Sequence, residues 1–182
     1  KEASQRANAV VQDFFSADSY KSTRYGKIKP KIITTIAMFY DLDDPYEFVE
    51  DIKETLDDDG IWVLQLSYTP LMIKQLAFDN ICHEHICYYS LSSMKYLMDR
   101  AGFDIVDCTL NDVNGGSFRV FLMKKDGDKT KFRCKQERDV AEFRVNSLLE
   151  YEKTLKLNEP ETYTNFFSEV CELKEKTVDF IK

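Results

Sequence analysis

The two histidines of the chain lie two residues apart, in His83-Glu84-His85. Imidazole, with an ordinary pKa of about 6.5, is neutral near pH 7 and ready to accept a proton, and a neighbouring carboxylate can orient it and stabilise the imidazolium that forms. The triplet is therefore a candidate for general-base chemistry. Read as an extended segment, it turns His83 and His85 to one side and Glu84 to the other, so the carboxylate that orients a histidine need not be Glu84. A metal centre is the rival reading. It fits poorly, because His-Glu-His lacks the His-Glu-x-x-His spacing that puts two imidazoles on one helix face, and Cys82, Cys87, Cys108, Cys134 and Cys171 form no Cys-x-x-Cys pair. No metal is expected. A second cluster, Asn114-Gly115-Gly116-Ser117 with Arg119, offers backbone donors, a hydroxyl and a guanidinium around one turn. It suits a sugar or a diphosphate, or is a hairpin turn that merely needs glycine.

Elements must hold these groups. Lys31 to Met38 is β-rich and apolar on both faces, as a central parallel strand covered by helices should be. Asp44-Pro45-Tyr46-Glu47 then places a capping acid before a proline at the first helical position. The helix it starts carries Phe48, Val49, Ile52 and Leu56 on one stripe, and Gly60 suits the left-handed position past its end. Ile61 to Leu66 is a second buried strand, parallel to the first. Residues 68–90, which include the histidines, show neither helical nor strand period, and they lie where the second strand leaves the sheet. Ser90 or Ser92 caps a helix closed by Gly102, and Phe103 to Leu110 and Ser117 to Lys124 flank a turn-rich connection, predicting an antiparallel hairpin. Helical spacing resumes from about Cys134 on either side of Pro160.

The chain has 182 residues, 43% hydrophobic and 31% charged, enough for one ordinary domain without disulfides. A net charge of −7 opposes broad capture of nucleic acid. No apolar run approaches the roughly 18 residues of a spanning helix, and an odd number of cysteines reads as free thiols, so a cytoplasmic protein with no membrane partner is expected. The basic cluster Lys21, Arg24, Lys27, Lys29 and Lys31 and the acidic run 41–59 read as solvated faces. A start at Lys1 and a last helix without a cap suggest a piece of a longer protein. The oligomeric state is left open.

The segment Phe78-Asp79-Asn80-Ile81-Cys82-His83-Glu84-His85-Ile86-Cys87-Tyr88-Tyr89-Ser90-Leu91 resembles the pattern FDxIYHEHxxYFSL of the nucleotide-sugar C-methyltransferase family. Met38-Phe39-Tyr40-Asp41-Leu42 with Asp44-Pro45, and Asn114-Gly115-Gly116-Ser117-Phe118-Arg119, match it in the same order. The resemblance covers residues 10–125 well and the C-terminal helices loosely. It implies an α/β, Rossmann-like class I methyltransferase fold, a mixed sheet with a C-terminal antiparallel hairpin and trailing helices. Residues 1–130 would be the second half of that domain and 131–182 a helical C-terminal extension. The family's zinc-binding region, glycine-rich cofactor loop and further C-terminal domain have no counterpart among the 182 residues.

The activity implied is transfer of a methyl group from S-adenosylmethionine to a carbon of a nucleotide-linked keto-sugar. Such a carbon must first lose a proton next to a carbonyl, so a base is obligatory. By position in the motif His85 is that base, with His83 and Glu84 close to it. Met38, Phe39 and Tyr40 either line the cofactor path after the first strand or pack the strand end. Asp13-Phe14 resembles the acid and aromatic pair that meets adenine in such enzymes. Tyr88 and Tyr89 either stack on the sugar or base or belong to the core; Asn114, Gly116, Ser117 and Arg119 would hold the sugar or its diphosphate. Cys82 stands where the family has tyrosine, and a thiol is the weaker donor. That departure leaves open a methyltransferase acting on oxygen or nitrogen, or a binding module that keeps the fold without the chemistry.

Overall fold

The structure, a computed structural model, describes residues 3–182, and of residues 3, 4 and 114 the backbone only. Among the described residues seven α-helices and four strands follow in the order α1 (Ala3–Arg6), α2 (Ala17–Lys21), β1 (Ile32–Ile36), α3 (Pro45–Thr55), β2 (Ile61–Ser67), α4 (Thr69–Gln75), α5 (Leu91–Ala101), β3 (Phe103–Asn111), β4 (Ser117–Lys124), α6 (Lys135–Thr154) and α7 (Pro160–Ile181). The strands form one mixed sheet in the order β1-β2-β4-β3. β1 and β2 are parallel, and β4 runs antiparallel to both β2 and β3. The expected α/β class, hairpin and trailing helices are all present. The hairpin does not simply continue the sheet: its second strand inserts between β2 and β3, so the turn between β3 and β4 returns to the carboxyl end of β2, where Ser67 pairs with Ser117.

The local reasons are those of the side chains. Asp44 accepts from the Glu47 amide at 2.9 Å and Pro45 fills the first turn of α3. Phe48, Val49, Ile52 and Leu56 are buried against the sheet. Gly60 differs from expectation. The helix ends at Thr55, and Gly60 sits outside the left-handed region; a Cβ there would stand 2.7 Å from the Leu56 side chain, so close packing at the start of β2 explains the glycine. Trp62 centres the core, its ring 6.0 Å from Phe39 and 5.6 Å from Phe103, and its indole N–H donates to Thr35 Oγ1 at 2.9 Å. Ser90 caps α5 through a reciprocal pair with Ser93, and Gly102 ends it at φ 84°.

Two buried acids dock α6. Arg144 forks onto Asp107 on β3, Nε to Oδ1 and Nη2 to Oδ2 both at 2.9 Å, with Arg133 also on Oδ2. Glu152 accepts from the Tyr68 hydroxyl at 2.7 Å and the Ser92 amide at 2.8 Å, and from the Leu91 amide as well. One carboxylate on α6 thus caps α5 and holds the residue that precedes α4. Among the described residues no helix is long and apolar enough to cross a membrane.

Candidate functional site

The carboxyl ends of β1 and β2 carry the motif. Doubly wound sheets bind ligands at this end, where loops leave the strands and the backbone groups are not consumed by the ladder. After β1 the chain turns sharply at Ala37, with φ 53°, and enters a 3-10 turn over Phe39–Asp41. After β2 it enters α4, whose Tyr68-Thr69-Pro70 start was not legible as a helix, and then a 3-10 turn over Phe78–Asn80. The Tyr40 carbonyl accepts from the Ile86 and Cys87 amides, both at 3.0 Å, which fastens the histidine segment to the end of β1.

His83-Glu84-His85 is a turn, not an extended segment. The His85 amide donates to the Cys82 carbonyl at 3.2 Å, so side chains no longer alternate and the expected placing of both histidines on one side is corrected. His83 is 92% exposed and pairs with Glu84, Nδ1 to Oε2 at 3.4 Å. The backbone amide of Glu84, the Cys82 thiol and the His83 imidazole hold the Glu84 carboxyl below the usual range. These three face solvent or each other. His85 goes the other way, its ring 4.2 Å from that of Tyr40, into a recess lined by Tyr40, Ser67, Thr69, Met72, Cys87 and Tyr88. The recess has a volume of about 10 Å³, room for one water, and Tyr88 in its lining is exposed.

His85 Nδ1 lies 2.8 Å from the Asn80 carbonyl oxygen. The same oxygen accepts from the Tyr88 hydroxyl at 3.3 Å, and the Asn80 side chain accepts from Ser67 Oγ at 3.2 Å and donates to the Ala77 carbonyl at 3.3 Å. Asn80 therefore ties the imidazole to the end of β2. The β3–β4 turn closes against this region: the Gly116 carbonyl accepts from Tyr68, and a Cβ on Gly115 would lie 3.8 Å from Asn80 Nδ2.

The other expected residues divide. Phe39 is fully buried among Phe48, Trp62 and Tyr89, and Tyr89 is likewise in the core. Met38 is half-buried at the end of β1. Asp13 and Phe14 stand exposed and do not reach the recess. Gly116 takes φ 116°, and a Cβ there would stand 2.8 Å from Leu71, so its glycine is accounted for by backbone and packing. Ser117 is buried and donates to the Val113 carbonyl at 2.7 Å. Arg119 is exposed and donates from Nε and Nη2 to Gln65 Oε1 at 2.9 and 2.6 Å. The Asn114 side chain lies outside the described residues. Sequence reasoning missed Ser67, Thr69, Met72, Asn80, Cys87 and Glu152. Only Glu152 left a trace, as an acid on the buried stripe with Ala141 and Val145; Asn80 acts through a peptide carbonyl, which no residue type announces.

Comparison with known proteins bears on the family. Residues 1–107 match the family model described as a methyltransferase domain, and residues 112–182 match the C-methyltransferase C-terminal domain, which corrects the expectation that the further C-terminal domain has no counterpart in these residues. C-methyltransferase NovU of Streptomyces niveus is 31% identical over 107 residues, which are 59% of this chain and 25% of that protein; the chain spans about a quarter of the length of this curated relative. Among solved structures, the complex of the Haloferax volcanii Trm112 methyltransferase activator with a methyltransferase overlaps at a TM-score of 0.43, with 12% identity, over 52% of this chain and 54% of the other. An O-methyltransferase of a trans-AT PKS multienzyme of Brevibacillus brevis, with S-adenosyl-L-homocysteine, overlaps at 0.42, with 10% identity, over 76% of this chain and 55% of the other. With the methyltransferase-domain model matched over more than half of its residues, the chain belongs to the methyltransferase family.

Proposed function

We propose that the protein is an S-adenosylmethionine-dependent enzyme that methylates a carbon next to the carbonyl of a nucleotide-linked keto-sugar, with His85 as the base. The observation that carries this reading is the 2.8 Å contact of His85 Nδ1 with the Asn80 carbonyl. A carbonyl oxygen only accepts, so Nδ1 holds the hydrogen and Nε2 keeps its lone pair. The match to a C-methyltransferase C-terminal domain supports carbon as the acceptor.

At the end of β1, half-buried Met38 and the Tyr40 ring offer a thioether and an aromatic face, surfaces that suit a sulfonium cation; these two residues would hold the methionine end of the cofactor. S-adenosylmethionine, when bound, supplies an electrophilic methyl group. This chain's residues prepare the acceptor. His85 Nε2 takes the proton from the carbon, the C–H electron pair becomes the carbon–carbon double bond, and the carbonyl π pair moves to oxygen. Arg119 keeps its Nη1 donors for a phosphate oxygen, since its described bonds use only Nε and Nη2.

His85→Gln in the intact protein tests this. Turnover, followed by mass spectrometry with a panel of nucleotide-linked keto-sugars, should fall about 10²–10⁴-fold, while calorimetry should show S-adenosylhomocysteine bound as before. Wild-type turnover in that variant, or a product carrying its new methyl on oxygen or nitrogen, would overturn the reading.

A further inference from the structure

An enolate forming at this site needs a preorganised hydrogen-bond donor, because imidazole alone is too weak a base for an unactivated ketone. Four hydroxyls line the His85 recess: those of Tyr40, Ser67, Thr69 and Tyr88. Three have committed their hydrogen. Ser67 Oγ donates to Asn80 Oδ1 at 3.2 Å, Thr69 Oγ1 to the Tyr89 carbonyl at 2.9 Å, and Tyr88 to the Asn80 carbonyl at 3.3 Å. The Tyr40 phenol has no hydrogen-bond partner among the described residues, although the residue is 93% buried, and its oxygen is not sealed from solvent. A phenol that is open to solvent and bonded to no described group keeps its hydrogen for a ligand at the recess.

Tyr40 is also held in place. Its carbonyl accepts from Ile86 and Cys87, it lies in the 3-10 turn at the end of β1, and its ring is 4.2 Å from the imidazole. We propose that Tyr40 is a catalytic residue, whose phenol O–H donates to the substrate carbonyl oxygen while His85 Nε2 removes the proton from the adjacent carbon. The proton passes to Nε2, the C–H pair becomes the double bond, and the negative charge collects on an oxygen that the phenol already faces. Burial raises the Tyr40 phenol above its ordinary value, which keeps it a donor at neutral pH.

This inference rests on the reading of His85 as base, and enolisation can be followed without the methyl donor. The intact protein is incubated in D2O, cofactor omitted, with keto-sugars linked to uridine or thymidine diphosphate. Proton NMR then reads the loss of the signal at the carbon next to the carbonyl. The wild-type protein should exchange this hydrogen, His85→Gln should not, and Tyr40→Phe should slow exchange about 10²–10³-fold at unchanged sugar-nucleotide affinity. Phenylalanine keeps the ring contact and both backbone bonds, so a packing role would leave the rate untouched. Wild-type exchange in Tyr40→Phe, with exchange lost in His85→Gln, would overturn the role of Tyr40 alone. Exchange that survives in His85→Gln, or none in the wild type, would overturn the base itself.

Discussion

The two ends of the sheet are built on opposite plans. At the amino end of β1 and β2 the acidic run meets the basic cluster: Lys31 binds Asp57 at 2.7 Å, Lys124 and Lys29 reach Asp58 at 3.0 and 3.6 Å, and Lys131 pairs with Asp59. Hydrogen bonds from Lys31, Lys124 and Lys131 hold the three carboxyls below their ordinary range. At the carboxyl end the recess beside His85 is lined by no carboxylate, lysine or arginine, only by hydroxyls, a thiol, a thioether and the one imidazole, and most of its hydroxyls are paired. The difference teaches that a density of charge does not mark chemistry. Surface pairs are screened and exchange with water, whereas in the proposed reading the Asn80 carbonyl fixes the His85 hydrogen on Nδ1 and leaves Nε2 for the substrate.

The sharpest way to break the comparison is to exchange the two histidines' fates. His85→Gln should cost about 10²–10⁴-fold in turnover, whereas His83→Gln, at an exposed pair, should turn over at the wild-type rate. Loss in both would mean that the turn acts as one unit. Next in size is the brace beneath the carboxyl end. Glu152→Ala leaves the Tyr68 hydroxyl and the first amides of α5 unpaired, so urea unfolding should show a loss of about 2–5 kcal/mol. A loss near zero would detach α6 from the site.

A smaller effect comes from pH. Burial pushes the Cys108 thiol up to about 12 and raises the phenols of Tyr68 and Tyr89. The folded state keeps these protons to a higher pH than the unfolded chain does. Stability is therefore full below the ordinary values of 9.0 and 10.0 and should fall as pH rises beyond them. A flat unfolding midpoint from pH 8 to pH 11 would contradict their burial. Smallest of all is Lys31→Ala at the other end, which should leave turnover unchanged and move the midpoint slightly, the shift vanishing in high salt.

Legibility in the sequence followed the locality of each signal. The helix at Pro45–Thr55 was readable because cap, proline and apolar stripe are neighbours in the chain, and the hairpin because turn residues separate two apolar runs. α4 was hidden by its seven-residue length, too short to show a period. The insertion of β4 beside β2 is a pairing of distant segments and leaves no local mark. Within the site, His85 was named from its motif, but its separation from His83 and Glu84 depends on a turn closed by the Cys82 carbonyl. The Tyr40 contact with His85 depends on the meeting of two loops, which only the fold supplies.

The proton on His85 is the most direct test. With His83→Gln leaving a single imidazole, two-dimensional 15N NMR at pH 8 should find the hydrogen on Nδ1 and Nε2 unprotonated. A hydrogen on Nε2 would leave no lone pair facing the substrate and would contradict the account.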